Sequence, residues 1–126
     1  MNVRKMACAL AALILVVGCT TTITNLTPST LPRSVDNLYP FEVALETSQA
    51  TIREDSLKAY VLIGTELYPM RSVEQLKNRW EAMVPVPAAT NHVYYRYKFD
   101  YEYDKIGAPS SSSRLSGTYQ LEIVDK

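Results

Sequence analysis

From Val93 to Asp104 the chain alternates without a break. Odd positions read Val93, Tyr95, Tyr97, Phe99, Tyr101 and Tyr103, and even positions from 96 onward read Arg96, Lys98, Asp100, Glu102 and Asp104. Successive side chains of a β-strand point to opposite faces, so this spelling gives one aromatic face and one charged face. A helix, turning every 3.6 residues, would scatter both sets around its circumference. The segment therefore predicts a long strand whose odd side needs a covering layer. A strand of this length can outrun its sandwich and leave Tyr101 and Tyr103 at a rim.

Other segments obey the same period. Ile23 to Leu26 makes a short apolar start, broken by Pro28 and Pro32. Tyr39 to Glu46 alternates, with Phe41, Val43 and Leu45 on one side. Leu57 to Ile63 is a more continuous apolar run, and Gly64-Thr65 reads as the turn leading into Glu66 to Met70. Arg79 to Val86 places Trp80, Ala82, Val84 and Val86 together, with Pro85 and Pro87 marking an edge or an end. Val73 to Asn78 has at most the makings of one helical turn. Ile106 to Ser113, with Gly107, Pro109 and four serines, reads as a flexible hairpin loop. Tyr119 to Val124 is a last strand.

About seven short strands in roughly 100 residues predict an all-β fold, an antiparallel β-sandwich. In length and strand rhythm it resembles the immunoglobulin-like and fibronectin-like domains; a small β-barrel is the alternative. The resemblance would give Tyr94 or Tyr95 the role of a tyrosine corner.

The beginning of the chain has a separate character. Met1-Asn2-Val3-Arg4-Lys5 is basic, Met6 to Val17 carries no charge, and Gly18 precedes Cys19. A positive start, an apolar run and a small residue before a cut are the parts of an export signal, and the run falls short of the roughly 20 residues that span a bilayer. Leu15-Val16-Val17-Gly18-Cys19 resembles the lipobox of bacterial lipoproteins. The resemblance implies removal of residues 1–18, lipidation of Cys19, a lipidated tether over 19–22 and a β-sandwich domain over 23–126. Residue 20 is Thr rather than the aspartate that holds family members at the inner membrane. The expected place is therefore the outer membrane, on its periplasmic face.

Composition narrows the function. The chain has 13 basic and 13 acidic residues. Loss of Arg4 and Lys5 with the signal leaves a mature net charge of −2, without the concentrated positive field that nucleic-acid binding needs. The two cysteines are Cys8 and Cys19, so neither is left to form a disulfide within the mature domain. His92 is the single histidine, which is too little for a zinc site and unsupported as a general base. The chain reads as no enzyme, with no cofactor.

Three groups remain as candidates. Trp80, Tyr101 and Tyr103 have the chemistry of a partner-binding surface, since tyrosine and tryptophan join an apolar face to a polar tip. Asp100, Glu102 and Asp104 form an acidic row, a weak calcium candidate more simply read as a solvated face paired with residues such as Arg114. Asn25-Leu26-Thr27 has the form of a glycosylation acceptor, without meaning in a bacterial lipoprotein. The expected function is a membrane-anchored, non-catalytic binding or structural module, an accessory to an envelope protein assembly. The alternative is a carbohydrate- or peptidoglycan-binding module that uses Trp80 or Tyr103.

Overall fold

The computed structural model describes residues 20–48 and 51–125. Cys19, with the expected lipid site, and the export segment at 1–18 lie outside the described residues. Ten strands form two facing sheets. The first sheet orders β1 (Thr21–Asn25), β3 (Leu38–Thr47), β7 (Arg79–Pro85) and β6 (Arg71–Ser72) as β1-β3-β7-β6. The second orders β2 (Thr30–Pro32), β10 (Tyr119–Val124), β8 (His92–Lys105), β4 (Lys58–Ile63) and β5 (Glu66–Pro69) as β2-β10-β8-β4-β5, with β9 (Ala108–Leu115) also on β8. All pairings are antiparallel except β2 with β10. Two separate sheets, with β1-β3-β7-β6 facing a β10-β8-β4 centre, make the immunoglobulin-like sandwich rather than a barrel.

Two of the ten strands arise because the first and the last strand of the sandwich are each split. The first strand changes sheets at Leu26 to Ser29, so β1 pairs with β3 while β2 pairs with β10. The last strand is broken by a bulge. Three steps along β8, from Lys98 to Tyr95, face four along its partner, from Leu115 to Tyr119. The extra residue changes which parity faces inward. Ser116 fills the break: its hydroxyl accepts from the Tyr97 amide at 2.8 Å and its own amide donates to the Tyr97 carbonyl at 2.9 Å.

The alternating segments bury the faces their spelling predicts. Tyr39, Phe41, Val43 and Leu45 from β3 meet Val93, Tyr95, Tyr97 and Phe99 from β8, with Val61, Val84, Leu121 and Ile123 completing the core. Edge-to-face ring pairs join the sheets, with Phe41 to Tyr95 at 4.8 Å and Trp80 to Phe99 at 5.2 Å between centroids. Within this core lies a polar knot. The Tyr97 hydroxyl donates to Asn25 Oδ1 at 2.7 Å and lies 2.8 Å from Thr27 Oγ1, and Asn25 Nδ2 donates to the Tyr95 hydroxyl at 2.9 Å. Thr27 Oγ1 also accepts from the Glu42 amide at 2.9 Å. The knot pins the stretch where the first strand changes sheets, and burial pushes the Tyr97 and Tyr95 phenols above their ordinary value.

Four expectations are corrected. Residues 20–22 are not a free tether: Thr21 and Thr22 pair with Thr47 and Glu46, and the Thr20 amide donates to Ser48 Oγ at 2.7 Å. Threonine is β-branched and suits a strand that already has a partner. Ile106 to Ser113 is not a loose loop but the turn and most of β9, paired residue by residue with β8 from Lys105↔Ala108 to Lys98↔Leu115. Cross-strand pairing outweighs the weak strand preference of serine. Val73 to Asn78 forms a turn closed by the Val73 amide on the Arg79 carbonyl at 2.9 Å, with Asn78 at φ 65°, and no helix. The hydroxyl of Tyr95 reaches across to Asn25 and Tyr94 is exposed, which is not the tyrosine-corner bond to nearby upstream backbone.

The two ends of the described chain leave by opposite poles. β1 begins beside Thr47, whereas β10 ends at Val124, two residues past the pairing of Glu122 with His92 at the start of β8. At that second pole Arg33 ties the end of the described chain to the loop before β8, with Nε on Asp125 and Nη1 on the carbonyl of Ala88 at 2.7 Å. The Asp125 hydrogen bond raises the Arg33 pKa further.

Candidate functional site

Trp80 is corrected first. It is 8% exposed, lies on the inner face of β7 opposite Val43, and stacks edge-on against Phe99. An indole in that position is core and offers no platform to a partner or a sugar. The alternation had placed it with Val84 and Val86, and that shared face is the interior.

Tyr101 and Tyr103 lie where the long strand passes the end of the sandwich. β4 accompanies β8 only to Asp100, and beyond it Tyr103 bridges to Ile52. Both tyrosines are half-buried, with ring centroids 6.4 Å apart. Across β9 they face Ser112 and Ser110, whose small side chains leave the rings room. The hairpin ends at Ile106-Gly107, where Gly107 takes φ 101° and Ile106 is fully exposed.

The acidic row is neutralised piecemeal rather than gathered. Asp100 Oδ1 accepts from Ser113 Oγ at 2.7 Å and lies 3.4 Å from Lys98 Nζ, while Glu102 pairs with Arg53 at 3.5 Å. Arg114, expected as an acid partner, stands opposite Phe99 instead. Among the described residues no group of three or more His, Cys, Asp or Glu side chains is placed to hold a metal ion. Asp100 and Glu102, but not Asp104, line an open polar trough of about 640 Å³ with Lys58, Tyr60 and Ser111 to Ser113. His92 is exposed opposite Glu122.

A surface that the sequence reading missed lies along β7. β6 pairs with β7 only at Trp80 and Glu81, and among the described residues no strand pairs with Ala82 to Pro85 on that side. A groove of about 540 Å³ follows this edge, lined by Pro40, Phe41, Pro69, Met70, Ala82 and Met83. One end is closed by the Arg71–Glu81 ion pair at 3.1 Å. Met83 is 56% exposed. Its signal was present in the sequence: it is an apolar residue out of phase with the inward set Trp80, Ala82 and Val84. Methionine adapts its shape to irregular partners, and an unpaired strand edge offers backbone hydrogen bonds.

No protein-family model matches the chain, and no curated protein matches it. Among solved structures the chain is similar to the major subunit of aggregative adherence fimbriae type I from Escherichia coli. That likeness covers 86% of this chain and 97% of that chain, at a TM-score of 0.46 and 13% sequence identity.

Proposed function

We propose that the chain is a lipoprotein of the bacterial outer membrane, held by acyl chains on Cys19, and that it acts without catalysis as a docking module for a larger envelope protein. The observation that carries the docking role is the unpaired edge of β7 beside the Met83 groove. An apolar groove next to free backbone donors and acceptors suits an extended segment of another protein, which can add a strand while its side chains enter the groove. The lipobox spelling at Leu15 to Cys19 supports the anchor, and Thr20 supports delivery to the outer membrane. Two or more acyl chains, at ~0.8 kcal/mol per buried CH₂, hold a protein stably at a bilayer.

The test places a photo-crosslinking residue at Met83 and, separately, at exposed Tyr94 in the membrane-bound lipoprotein. A discrete heavier adduct from position 83, absent from position 94 and lost in Glu81→Lys, is the expected result. Recovery of only the monomer from position 83 refutes the docking role. The carbohydrate reading has lost Trp80 to the core, and no other observation favours it.

A further inference from the structure

The start of β1 and the overhanging hairpin share one pole. Thr20 is tied to Ser48: its amide donates to Ser48 Oγ at 2.7 Å, and its carbonyl accepts from the Ser48 amide at 2.9 Å and from Ser48 Oγ at 3.3 Å. Close by in the chain, the Thr51 carbonyl accepts from the Asp104 amide at 2.9 Å, and Arg53 donates its amide to the Glu102 carbonyl at 2.9 Å. The sheets are aligned in height by Trp80, which stands opposite Val43 and stacks on Phe99. Four residues beyond these lie Thr47 on β3 and Tyr103 on β8, so those two are nearly level. Thr21 pairs with Thr47. Ile106 then lies three residues past that level, about 10 Å at ~3.3 Å per residue, and Cys19 lies two residues before Thr21, at most about 7 Å. Both can meet the same plane.

We infer that the β8–β9 hairpin tip, Lys105-Ile106-Gly107, is a second membrane contact that rests in the lipid headgroup layer next to the acylated Cys19. This rests on the lipid-anchor reading above. Ile106 is fully exposed at the tip of the β8–β9 ladder, where its side chain is free to enter an apolar layer, and that burial would be favourable. Lys105 beside it is exposed and suits an anionic surface, with its stem along the acyl boundary and its ammonium among the phosphates. Tyr101 and Tyr103 follow on the same strand, the residue type that collects at bilayer interfaces. Asp104 and the free backbone groups of the turn limit the depth to the headgroup region. The contact can be weak in isolation, because the anchor holds the hairpin at high local concentration.

The experiment uses the full-length lipoprotein in vesicles of phosphatidylethanolamine and phosphatidylglycerol. One variant carries Ile106→Cys and another Val35→Cys, each labelled with an environment-sensitive fluorophore. Val35 is as exposed as Ile106 but lies near the opposite pole, between β2 and the start of β3. Intact mass of the same sample reports whether Cys19 is acylated. The expected result is blue-shifted emission at 106, with quenching by spin-labelled lipids several-fold stronger than at 35. Equal, weak quenching at both sites with acylated Cys19 overturns the hairpin contact and leaves the anchor standing. An unmodified residue 19 overturns the anchor, and the hairpin contact falls with it.

Discussion

A phenol hydroxyl in an aromatic core is stable only while every bond it makes is kept. Tyr97 is fully buried, and its oxygen serves Asn25, Thr27 and the Glu42 carbonyl. Tyr97→Phe should therefore cost about 0.5–1.5 kcal/mol in chemical denaturation, because Asn25 Oδ1 and Thr27 Oγ1 each lose one buried hydrogen bond while keeping those to the Thr27 and Glu42 amides. The raised Tyr97 and Tyr95 pKa values add a pH dependence of definite sign. Above pH ~10 the unfolded chain releases phenolic protons that the folded chain keeps, so stability falls by about 1.4 kcal/mol per pH unit for each such group. Below pH ~10 that contribution is fully present. Alkaline unfolding followed by circular dichroism should show this fall, with a shallower slope in Tyr97→Phe. Trp80→Ala should cost about 3–5 kcal/mol, the loss expected of an emptied core site. Alternation told which side Trp80 and Tyr97 face. It could not tell that Asn25 and Thr27, some 70 residues earlier, supply the bonds that let a tyrosine be buried.

The β8–β9 hairpin shows where element-level reading stops. The alternation of β8 was legible over its whole length because an aromatic face and a charged face leave one solution. The serines of β9 carry little preference of their own, and their strand exists through pairing with β8. The turn depends on Gly107, whose φ of 101° is strained for residues with a side chain even though open space surrounds it. Gly107→Val should loosen the hairpin locally, with faster amide exchange at Tyr103 and Ser110 and little change at Tyr95. The bulge at Ser116 was equally hidden, since one extra residue in a polar stretch leaves no mark on the period. Met83 was readable as an apolar residue out of phase, but only the shortness of β6 makes it part of a groove.

For the whole molecule, the all-β fold class and the positions of β3, β4, β5, β7, β8 and β10 followed from the sequence, whereas β6 and β9 did not. The sheet switch at Leu26 to Ser29 did not, because β2 is three residues long and ends in proline. Cysteine occurs only at positions 8 and 19, so the sandwich over residues 20–125 holds together without a disulfide of its own. Its thermal midpoint should accordingly be the same with and without reductant in calorimetry.

The opposite placement of the two chain ends has a mechanical consequence. Tension applied between Thr20 and Asp125 would slide β1 along β3 and β2 along β10, straining every bond of each ladder at once instead of peeling them singly. A module fixed at one end and tugged at the other would thus rupture at high force for its thermodynamic stability, as a seam resists a pull along its stitching.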